Sequence, residues 1–183
     1  LTATAPTGTP EGSVGTPLPG VTIRLVDEAG HDVPEGASGE LIARAPAVML
    51  GYLGEPEQTA AVLRDGWIWT GDIARRDAEG NYFLLGRRAH WINVGGAKVL
   101  PEEVEHVLEE HPAVREAAVS GAVDAARGEI VRALIVPHGE PPTITELIRF
   151  CRARLASHKI PRRFEFHEQL PRSSALKILR REL

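Results

Sequence analysis

The stretch at residues 86–105, GRRAHWINVGGAKVLPEEVE, constrains the fold of this chain more than any other part of the sequence. It starts with Gly-Arg, passes through a short apolar run and turns at the adjacent glycines Gly95 and Gly96. A helix then starts at Pro101, because proline suits the first helical position and the carboxylates that follow it suit the positive end of the helix dipole. The sequence therefore predicts a strand, a turn and a helix within this one stretch.

Upstream of this stretch, short runs of alternating apolar and polar residues are separated by turns, as in half-buried strands. The predicted elements are strands at residues 21–27, 39–45, 67–75 and 81–86, a hairpin turn at 77–80 and a short helix at 58–63. Residues 1–20 are rich in Thr, Pro and Gly without a period, so we expect an extended loop there. Several short strands with Gly-rich turns predict a small β-barrel or curled sheet.

Downstream of the glycine pair, the sequence predicts a compact domain with two helices on one face of a small sheet. The predicted elements are helices at residues 101–111 and 144–155 and strands at 114–122, 129–136 and 163–167. Thr143 and Glu146 have the spacing of a capping box at the second helix. Ile148 and Cys151 belong to the apolar face of that helix, which favours a packing role for the cysteine over a nucleophilic one. The predicted fold class is α+β: a small β-barrel-like subdomain followed by a compact α+β domain.

The composition argues against several classes of protein. A single cysteine excludes an intramolecular disulfide and a cysteine-based metal cluster, which fits a reducing cytoplasm. No apolar run approaches the roughly 20 residues that span a bilayer, so we expect no membrane span. The last 33 residues carry nine Lys or Arg against three Glu, a balance that attracts phosphates. These cations lack the interleaved aromatic residues of a single-stranded nucleic-acid platform, so we expect no nucleic-acid partner.

Four motifs resemble, in order, those of the adenylate-forming superfamily, which includes acyl-CoA and aryl-CoA synthetases, adenylation domains of peptide synthetases and luciferases. They are GELIARAPAVMLGYLGEPEQTAAVL at residues 39–63, DGWIWTGDIARRDAEGNYFLLGR at 65–87, the stretch at 86–105, and LPRSSALKILRREL at 170–183. The last is similar to the family's C-terminal lysine motif. The resemblance implies that residues 1–87 are the last, incomplete, β-rich subdomain of the large AMP-binding domain. Residues 88–183 would then be the family's mobile C-terminal domain.

The resemblance also implies an activity. Enzymes of this family are ATP-dependent ligases that join a carboxylic acid to AMP and then transfer the acyl group to a thiol. The implied cofactors and substrates are ATP or AMP, Mg²⁺, a carboxylic acid, and CoA or the pantetheine of an acyl carrier protein. Negative charge develops on oxygen when the carboxylate attacks the α-phosphate, so the reaction needs fixed cations and a held ribose more than a protein base.

Individual residues take roles from the same resemblance. Asp72 resembles the residue that accepts both ribose hydroxyls, and Arg87 resembles its companion at the ribose or phosphate. Lys177 resembles the catalytic lysine, whose compact charge can follow atoms as they separate. Gly95 and Gly96 would present backbone to the pantetheine arm. Each assignment has an alternative without a role in catalysis or binding. In the same order, these are a turn aspartate, a surface arginine, a solvated lysine in the tail and, for the two glycines, an ordinary turn.

Some positions depart from the family pattern. The hinge between the domains falls at Arg88 and Ala89, where the family usually has Asp or Lys at the alanine. Ala3 stands where a metal-binding glutamate is expected, so no metal ligand is assigned, and Leu176 stands where a glycine precedes the lysine. The family's phosphate loop is also missing, so we expect the isolated chain to be inactive and to need the missing N-terminal portion as its partner. A non-catalytic pseudoenzyme or interaction module of the same fold is the alternative.

Overall fold

The structure, a computed structural model, describes residues 1–4 and 8–172. The chain divides into two compact units, Leu1–Ala89 and His90–Leu183. The first unit is built mostly of strands, and the second combines strands with helices. The predicted α+β class is therefore confirmed, and so is the curled sheet of the first unit. In the part of the chain that the structure describes, no helix is long and apolar enough to cross a membrane.

The first unit is organised around one long central strand. Its strands are β1 (Thr2–Ala3), β2 (Thr16–Pro17), β3 (Thr22–Val26), β4 (Gly39–Arg44), β5 (Leu63–Arg64), β6 (Trp67–Arg76) and β7 (Tyr82–Arg87). The short helix α1 (Pro56–Val62) precedes β5. Strand β6 pairs with β4 on one edge, while β5 and β7 pair with its two halves on the other. Every pairing is antiparallel, and β6 lies at the centre of the sheet between β4 on one side and β5 and β7 on the other.

The core of the first unit follows from the alternation of side chains along the strands. Alternate residues of a strand face opposite sides of the sheet, so apolar residues two apart share one face. The buried cluster consists of Ile23, Leu25, Leu41, Ala43, Ala74 and Tyr82. The partly buried Val14, Val21 and Val33 pack against this cluster. The alternation predicted this face, but the expectation of a half-buried strand is wrong for β4, which is buried on both faces from Gly39 to Ala43.

The expected extended loop over residues 1–20 is wrong in two places. Strands β1 and β2 pair with each other antiparallel. Gly15 forms an antiparallel bridge with Tyr82 of β7, and Tyr82 donates its N–H to the Gly15 carbonyl at 2.9 Å. Glycine is needed at 15, because a Cβ there would overlap the backbone of Ala3. The bridge depends on a partner far along the chain, so local composition did not predict it.

The second unit begins with a hairpin and continues as a sheet covered by helices. Its elements are β8 (Ile92–Val94), β9 (Ala97–Val99), α2 (Pro101–Glu109), β10 (Val114–Asp124), β11 (Gly128–Pro137), α3 (Ile144–Arg152) and β12 (Arg163–Phe166). The sheet order is β10-β11-β12, with β10 antiparallel to β11 and β12 parallel to it. Strand β9 was not predicted, because the stretch at 86–105 was expected to pass from the glycine turn directly into a helix.

The two faces of this sheet have separate apolar clusters. The larger contains Val104, Val107 and Leu108 of α2, Leu147 and Cys151 of α3, and Ala117, Val119, Val131, Ala133 and Ile135 of the sheet. Ile92 and Val99 of the hairpin, with Val114 and Leu155, complete it. The opposite face carries Ala118, Leu134 and Val136, which pack with Leu170. The predicted arrangement of two helices on one face is confirmed.

The start of α3 matches the sequence prediction closely. The Thr143 hydroxyl accepts from the Glu146 N–H at 3.3 Å, and the Glu146 carboxylate accepts from the Thr143 N–H at 2.9 Å, so the capping box is confirmed. The hydrogen bonds from Thr143 lower the pKa of Glu146. Cys151 is fully buried, and burial raises its pKa to about 11. Ile148, expected to face inward, is only partly buried.

Helix α2 is attached to the sheet by two carboxylates that the sequence analysis missed. Glu105 accepts from the backbone N–H of Val119 at 2.7 Å, and Glu109 accepts from that of Ala117 at 3.1 Å. The two glutamates are one helical turn apart on α2. Their carboxylates therefore reach two backbone N–H groups that belong to alternate residues of β10. Polar contacts therefore fix the helix against the strand alongside its apolar face.

Candidate nucleotide-binding and thiol-binding sites

Asp72 and Arg87 face each other directly across β6 and β7. The Arg87 Nε lies 2.7 Å from the Asp72 Oδ1, and the Arg87 Nη1 donates to the carbonyl of Thr70 at 3.3 Å. The side chain of Asp72 is 25% exposed and that of Arg87 is 57% exposed. The structure thus brings together the two side chains that the resemblance assigns to the nucleotide.

A bulge in β6 aims the Asp72 side chain. Ile42 of β4 lies opposite Trp69, but Glu40 lies opposite Ile73, so residues 70–72 of β6 face a single residue of β4. Gly71 has φ 72°, a left-handed conformation that glycine adopts without a steric penalty. A bulge bends a strand and redirects its side chains. Glycine in the Thr-Gly-Asp motif is therefore explained by the bulge, which the sequence alone did not reveal.

The threonine of this motif stabilises the bulge. The Thr70 Oγ1 donates to the carbonyl of Leu41 at 2.8 Å and accepts from the N–H of Asp72 at 3.0 Å. Thr70 thus fixes the backbone of Asp72, and Arg87 holds the Asp72 carboxylate through Oδ1. Within residues 1–4 and 8–172, no hydrogen-bond partner is found for the other oxygen, Oδ2. The pair therefore presents an acceptor oxygen beside a guanidinium on a partly exposed strand.

A second ion pair lies next to the first. The Arg88 Nη1 lies 2.8 Å from the Oε2 of Glu40, whose side chain is only 7% exposed. A buried carboxylate is costly unless a cation or several donors compensate it. The sequence motifs place Arg88 only at the hinge and give no indication of a role for Glu40. Residues Arg88–His90 form a single 3₁₀ turn, in which Ala89 is the last residue of the first compact unit.

The glycine pair forms the turn of the β8–β9 hairpin. Gly95 has φ 59° and Gly96 has φ 88°, and the flanking residues Val94 and Ala97 pair with each other. Two consecutive positive φ angles are the signature of a type I′ turn, whose twist matches that of the strands it joins. The turn geometry therefore explains why a strand follows the glycines. Both glycines are exposed, and a Cβ at either position would meet no atom within 4 Å.

The lysine assigned to catalysis, Lys177, and its neighbour Leu176 lie outside the described residues. The chain leading to them is described as far as Arg172, which pairs with Glu116 of β10 at 2.7 Å. Leu170, two residues earlier, is 3% exposed. The first residues of the lysine motif are therefore attached to the face of the sheet opposite α2 and α3.

The described residues do not fit a metal site. Across residues 1–4 and 8–172, no group of three or more His, Cys, Asp or Glu side chains is arranged to hold an ion. Ala3, which the resemblance aligns with a metal-binding glutamate, lies in β1 and provides no ligand atom from its side chain. We therefore assign Mg²⁺ no step in the chemistry of these residues.

Comparison with known sequence families gives two matches. Residues 2–53 match the AMP-binding enzyme family, and residues 103–177 match the C-terminal domain of AMP-binding enzymes. The first match lies in the first compact unit and the second match in the second.

Individual relatives agree with these matches. The chain is 42% identical over 174 residues to a long-chain-fatty-acid–CoA ligase of Escherichia coli O6:H1, covering 94% of this chain and 31% of the relative. It is 44% identical over 182 residues to the fatty acid–[acyl-carrier-protein] ligase ScoC of Streptomyces coeruleorubidus, covering 99% of this chain and 35% of that relative. The chain thus spans about a third of the length of these relatives.

A solved structure shows the same fold. The o-succinylbenzoate CoA synthetase MenE of Bacillus subtilis, in complex with the acyl-adenylate intermediate OSB-AMP, superposes with a TM-score of 0.82 at 38% identity. The superposition covers 93% of this chain and 35% of that protein.

Proposed function

This chain belongs to the adenylate-forming superfamily of AMP-binding enzymes, and from that premise we propose that it is the C-terminal part of an ATP-dependent acyl- or aryl-CoA ligase. The ligase adenylates a carboxylic acid and transfers the acyl group to CoA or to a carrier thiol. The observation that carries the proposal is the Asp72–Arg87 pair, in which one carboxylate oxygen is held and the other is available.

The proposed role of this pair is to hold the ribose of the nucleotide. An ionised carboxylate accepts hydrogen bonds from two hydroxyl groups, and charge-assisted hydrogen bonds are the stronger kind. Arg87 holds Oδ1 of Asp72, and the bulge at Gly71 fixes the backbone, so the acceptor is oriented before the nucleotide arrives. The exposed guanidinium of Arg87 adds a positive charge that attracts the phosphates of the same nucleotide.

Lys177 is proposed to supply the cation of the first half-reaction. The substrate carboxylate attacks the α-phosphate of ATP, the bond to the pyrophosphate breaks, and negative charge grows on the oxygens around phosphorus. A positively charged group placed there stabilises the transition state more than the bound substrates. The attachment of Leu170 and Arg172 to the sheet supports this role, since it limits the region that the following lysine can reach.

The glycine hairpin is the proposed site for the thiol in the second half-reaction. The exposed turn at Gly95 and Gly96 offers backbone groups without side chains in front of them, which allows an extended pantetheine arm to approach closely. The thiol attacks the acyl carbon, and AMP leaves with the electrons of the broken bond. The acceptor is CoA or the pantetheine of a carrier protein.

The two half-reactions require different parts of the chain, so we propose that residues 88–183 move as a domain about a hinge at Arg88 and Ala89. Asp72 and Arg87 belong to the large domain in this proposal, and Lys177, Gly95 and Gly96 belong to the mobile one. Gating by such a domain movement is common among enzymes that order two chemical steps.

The test is exchange of radiolabelled pyrophosphate into ATP. The 183-residue chain alone should show no exchange with any carboxylic acid, because the phosphate loop is absent from its sequence. Addition of the N-terminal portion of the same protein should restore exchange. Exchange by the chain alone, or no exchange by the complete protein with a broad panel of acids, would overturn the proposal.

A non-catalytic module of the same fold is the second candidate. The observations in its favour are Ala3 and Leu176, which replace a glutamate and a glycine of the family pattern. Formation of acyl-adenylate by the complete protein distinguishes the two, since a module of this kind binds partners without forming the adenylate.

A further inference from the structure

The glycine hairpin needs support beyond its apolar anchors. Strands β8 and β9 form a two-stranded sheet of three residues each, separate from the larger sheet, and such hairpins are marginally stable alone. Ile92 and Val99 hold the base of the hairpin in the core. Asn93 and Lys98, which lie nearer the turn, are exposed. Val94, next to the turn, is partly buried against the same cluster, and a polar contact at the exposed Asn93 would add to this support.

Glu129 of β11 provides such a contact. Its Oε2 accepts from the backbone N–H of Asn93 at 2.8 Å. In an antiparallel ladder, hydrogen-bonded pairs alternate with non-hydrogen-bonded ones. Because Val94 and Ala97 close the two-residue turn, the N–H of Asn93 points away from β9 and is free to bond Glu129. The carboxylate thus joins the hairpin to the main sheet.

The connection continues from Asn93 into the turn. The Asn93 Oδ1 accepts from the N–H of Gly96 at 3.1 Å. The backbone and the side chain of one asparagine therefore link Glu129 to the second turn glycine. A displacement of the Glu129 carboxylate would be transmitted through Asn93 to the backbone that Gly95 and Gly96 present.

Gly121 of β10 makes room for this carboxylate. A Cβ on Gly121 would overlap the Glu129 Oε1, so any other residue would displace the side chain. The φ angle of Gly121 is not among the positive values, so the backbone conformation does not require glycine there. Space for Glu129 is thus the structural reason for glycine at this position.

From these contacts we propose that Glu129 is a positioning residue for the thiol half-reaction: it sets the Gly95–Gly96 turn, through Asn93, in the place where the pantetheine arm passes. This inference rests on the proposed function. Glu129 does not touch the reacting atoms and makes no contribution to adenylate formation. Its loss should therefore affect the thiol substrate selectively.

The first experiment measures the two half-reactions separately in the complete ligase. Glu129→Ala should raise the KM for CoA about tenfold, as expected for the loss of one charge-assisted hydrogen bond, and leave pyrophosphate exchange within about twofold of wild type. Gly121→Ala, which displaces the same carboxylate, should have the same effect. Glu129→Gln retains an acceptor oxygen and should restore most of the loss.

Glu165→Ala is the matched control, since Glu165 lies on β12 of the same sheet and pairs with Arg132 and His167. This variant should leave both half-reactions unchanged. If Glu129→Ala lowers pyrophosphate exchange as much as thioester formation, or changes neither, the positioning role is wrong and the proposed function stands. If the wild-type ligase forms no adenylate, the proposed function fails and the positioning role fails with it.

Hydrogen exchange of the 183-residue chain gives a readout that does not depend on activity. The amides of Asn93 and Gly96 should exchange several-fold faster in Glu129→Ala than in wild type or in Glu165→Ala. Unchanged exchange at both amides would show that Glu129 does not hold the hairpin, and would overturn the inference whatever the enzyme assays give.

Discussion

The buried carboxylate of Glu40 and the guanidinium of Arg88 form an ion pair at 2.8 Å that joins β4 to the turn following β7. The carboxylate is far more buried than the arginine, at 7% and 42% exposed side-chain area. The pair is therefore asymmetric: removal of the arginine leaves a buried negative charge, whereas removal of the carboxylate leaves a cation that can turn to solvent.

This asymmetry predicts the effect of single substitutions on stability. Arg88→Ala should lower the free energy of unfolding of the 183-residue chain by about 1–3 kcal/mol, since a buried charged group loses its partner. Urea unfolding followed by tryptophan fluorescence provides the measurement. Arg127→Ala removes an exposed pair with Asp124 at 3.9 Å and should cost less than about 0.5 kcal/mol. Equal losses in the two variants would contradict the prediction.

A second prediction concerns Asp72. In the complete ligase, Asp72→Asn should lower kcat/KM for ATP by about ten- to a hundredfold, because an amide is a weaker acceptor for the ribose hydroxyls than a carboxylate. Asp32→Asn is a matched control: Asp32 also pairs with an arginine Nε at 2.7 Å, that of Arg24, in the same unit. Similar losses for the two variants would remove Asp72 from the nucleotide site.

A third prediction tests the lysine motif. Lys177→Ala in the complete ligase should abolish adenylate formation, and Lys159→Ala, which removes a lysine paired with Glu103, should retain it. The pseudoenzyme alternative predicts negligible activity in the wild type that increases when Leu176→Gly restores the family pattern. Active wild type together with active Lys177→Ala would show that another residue supplies the cation.

A fourth prediction concerns the hinge. If residues 88–183 move as a domain, trypsin should cleave the 183-residue chain beside Arg87 or Arg88 before it cleaves within either compact unit. Arg88→Ala removes both a cleavage site and the contact with Glu40, so it should redirect the first cut to Arg87 and accelerate it. A first cut after Arg115 or Arg132, in the sheet of the second unit, would contradict the hinge.

A fifth prediction follows from the raised pKa of Cys151. The thiol ionises near pH 9 in the unfolded chain but only at about 11 in the folded chain, so the unfolded state loses its proton first as the pH rises. The full contribution of the thiol is present below pH 9 and is lost between about 9 and 11. The stability of wild type should therefore fall more steeply over this range than that of Cys151→Ala. Parallel curves would show that folding does not raise the pKa of this thiol.

Local patterns were sufficient to predict much of this fold. The alternation in β3, the capping box at Thr143 and the burial of Cys151 are each encoded within a few residues, so the sequence identified them. The boundaries were less accurate. Helix α2, for example, ends at Glu109 rather than at residue 111.

Features that depend on a distant partner were missed. The bulge at Gly71 exists only relative to β4, and the burial of Glu40 depends on a sheet whose other strands lie elsewhere in the sequence. The role of Glu129 likewise requires the hairpin and the absence of a side chain at Gly121. The motifs indicated which residues to examine, but the geometry that joins Asp72 to Arg87 became visible only in the register of β6 and β7.

The two carboxylates that join α2 to β10 have a consequence for self-association. Strand β10 is the outermost strand of its sheet, and an outermost strand with free N–H groups is a template on which another chain can add a strand. The N–H groups of Ala117 and Val119 are already bonded to Glu109 and Glu105 and are covered by the helix. The two glutamates therefore leave fewer free donors on this edge for the backbone of a second chain to pair with.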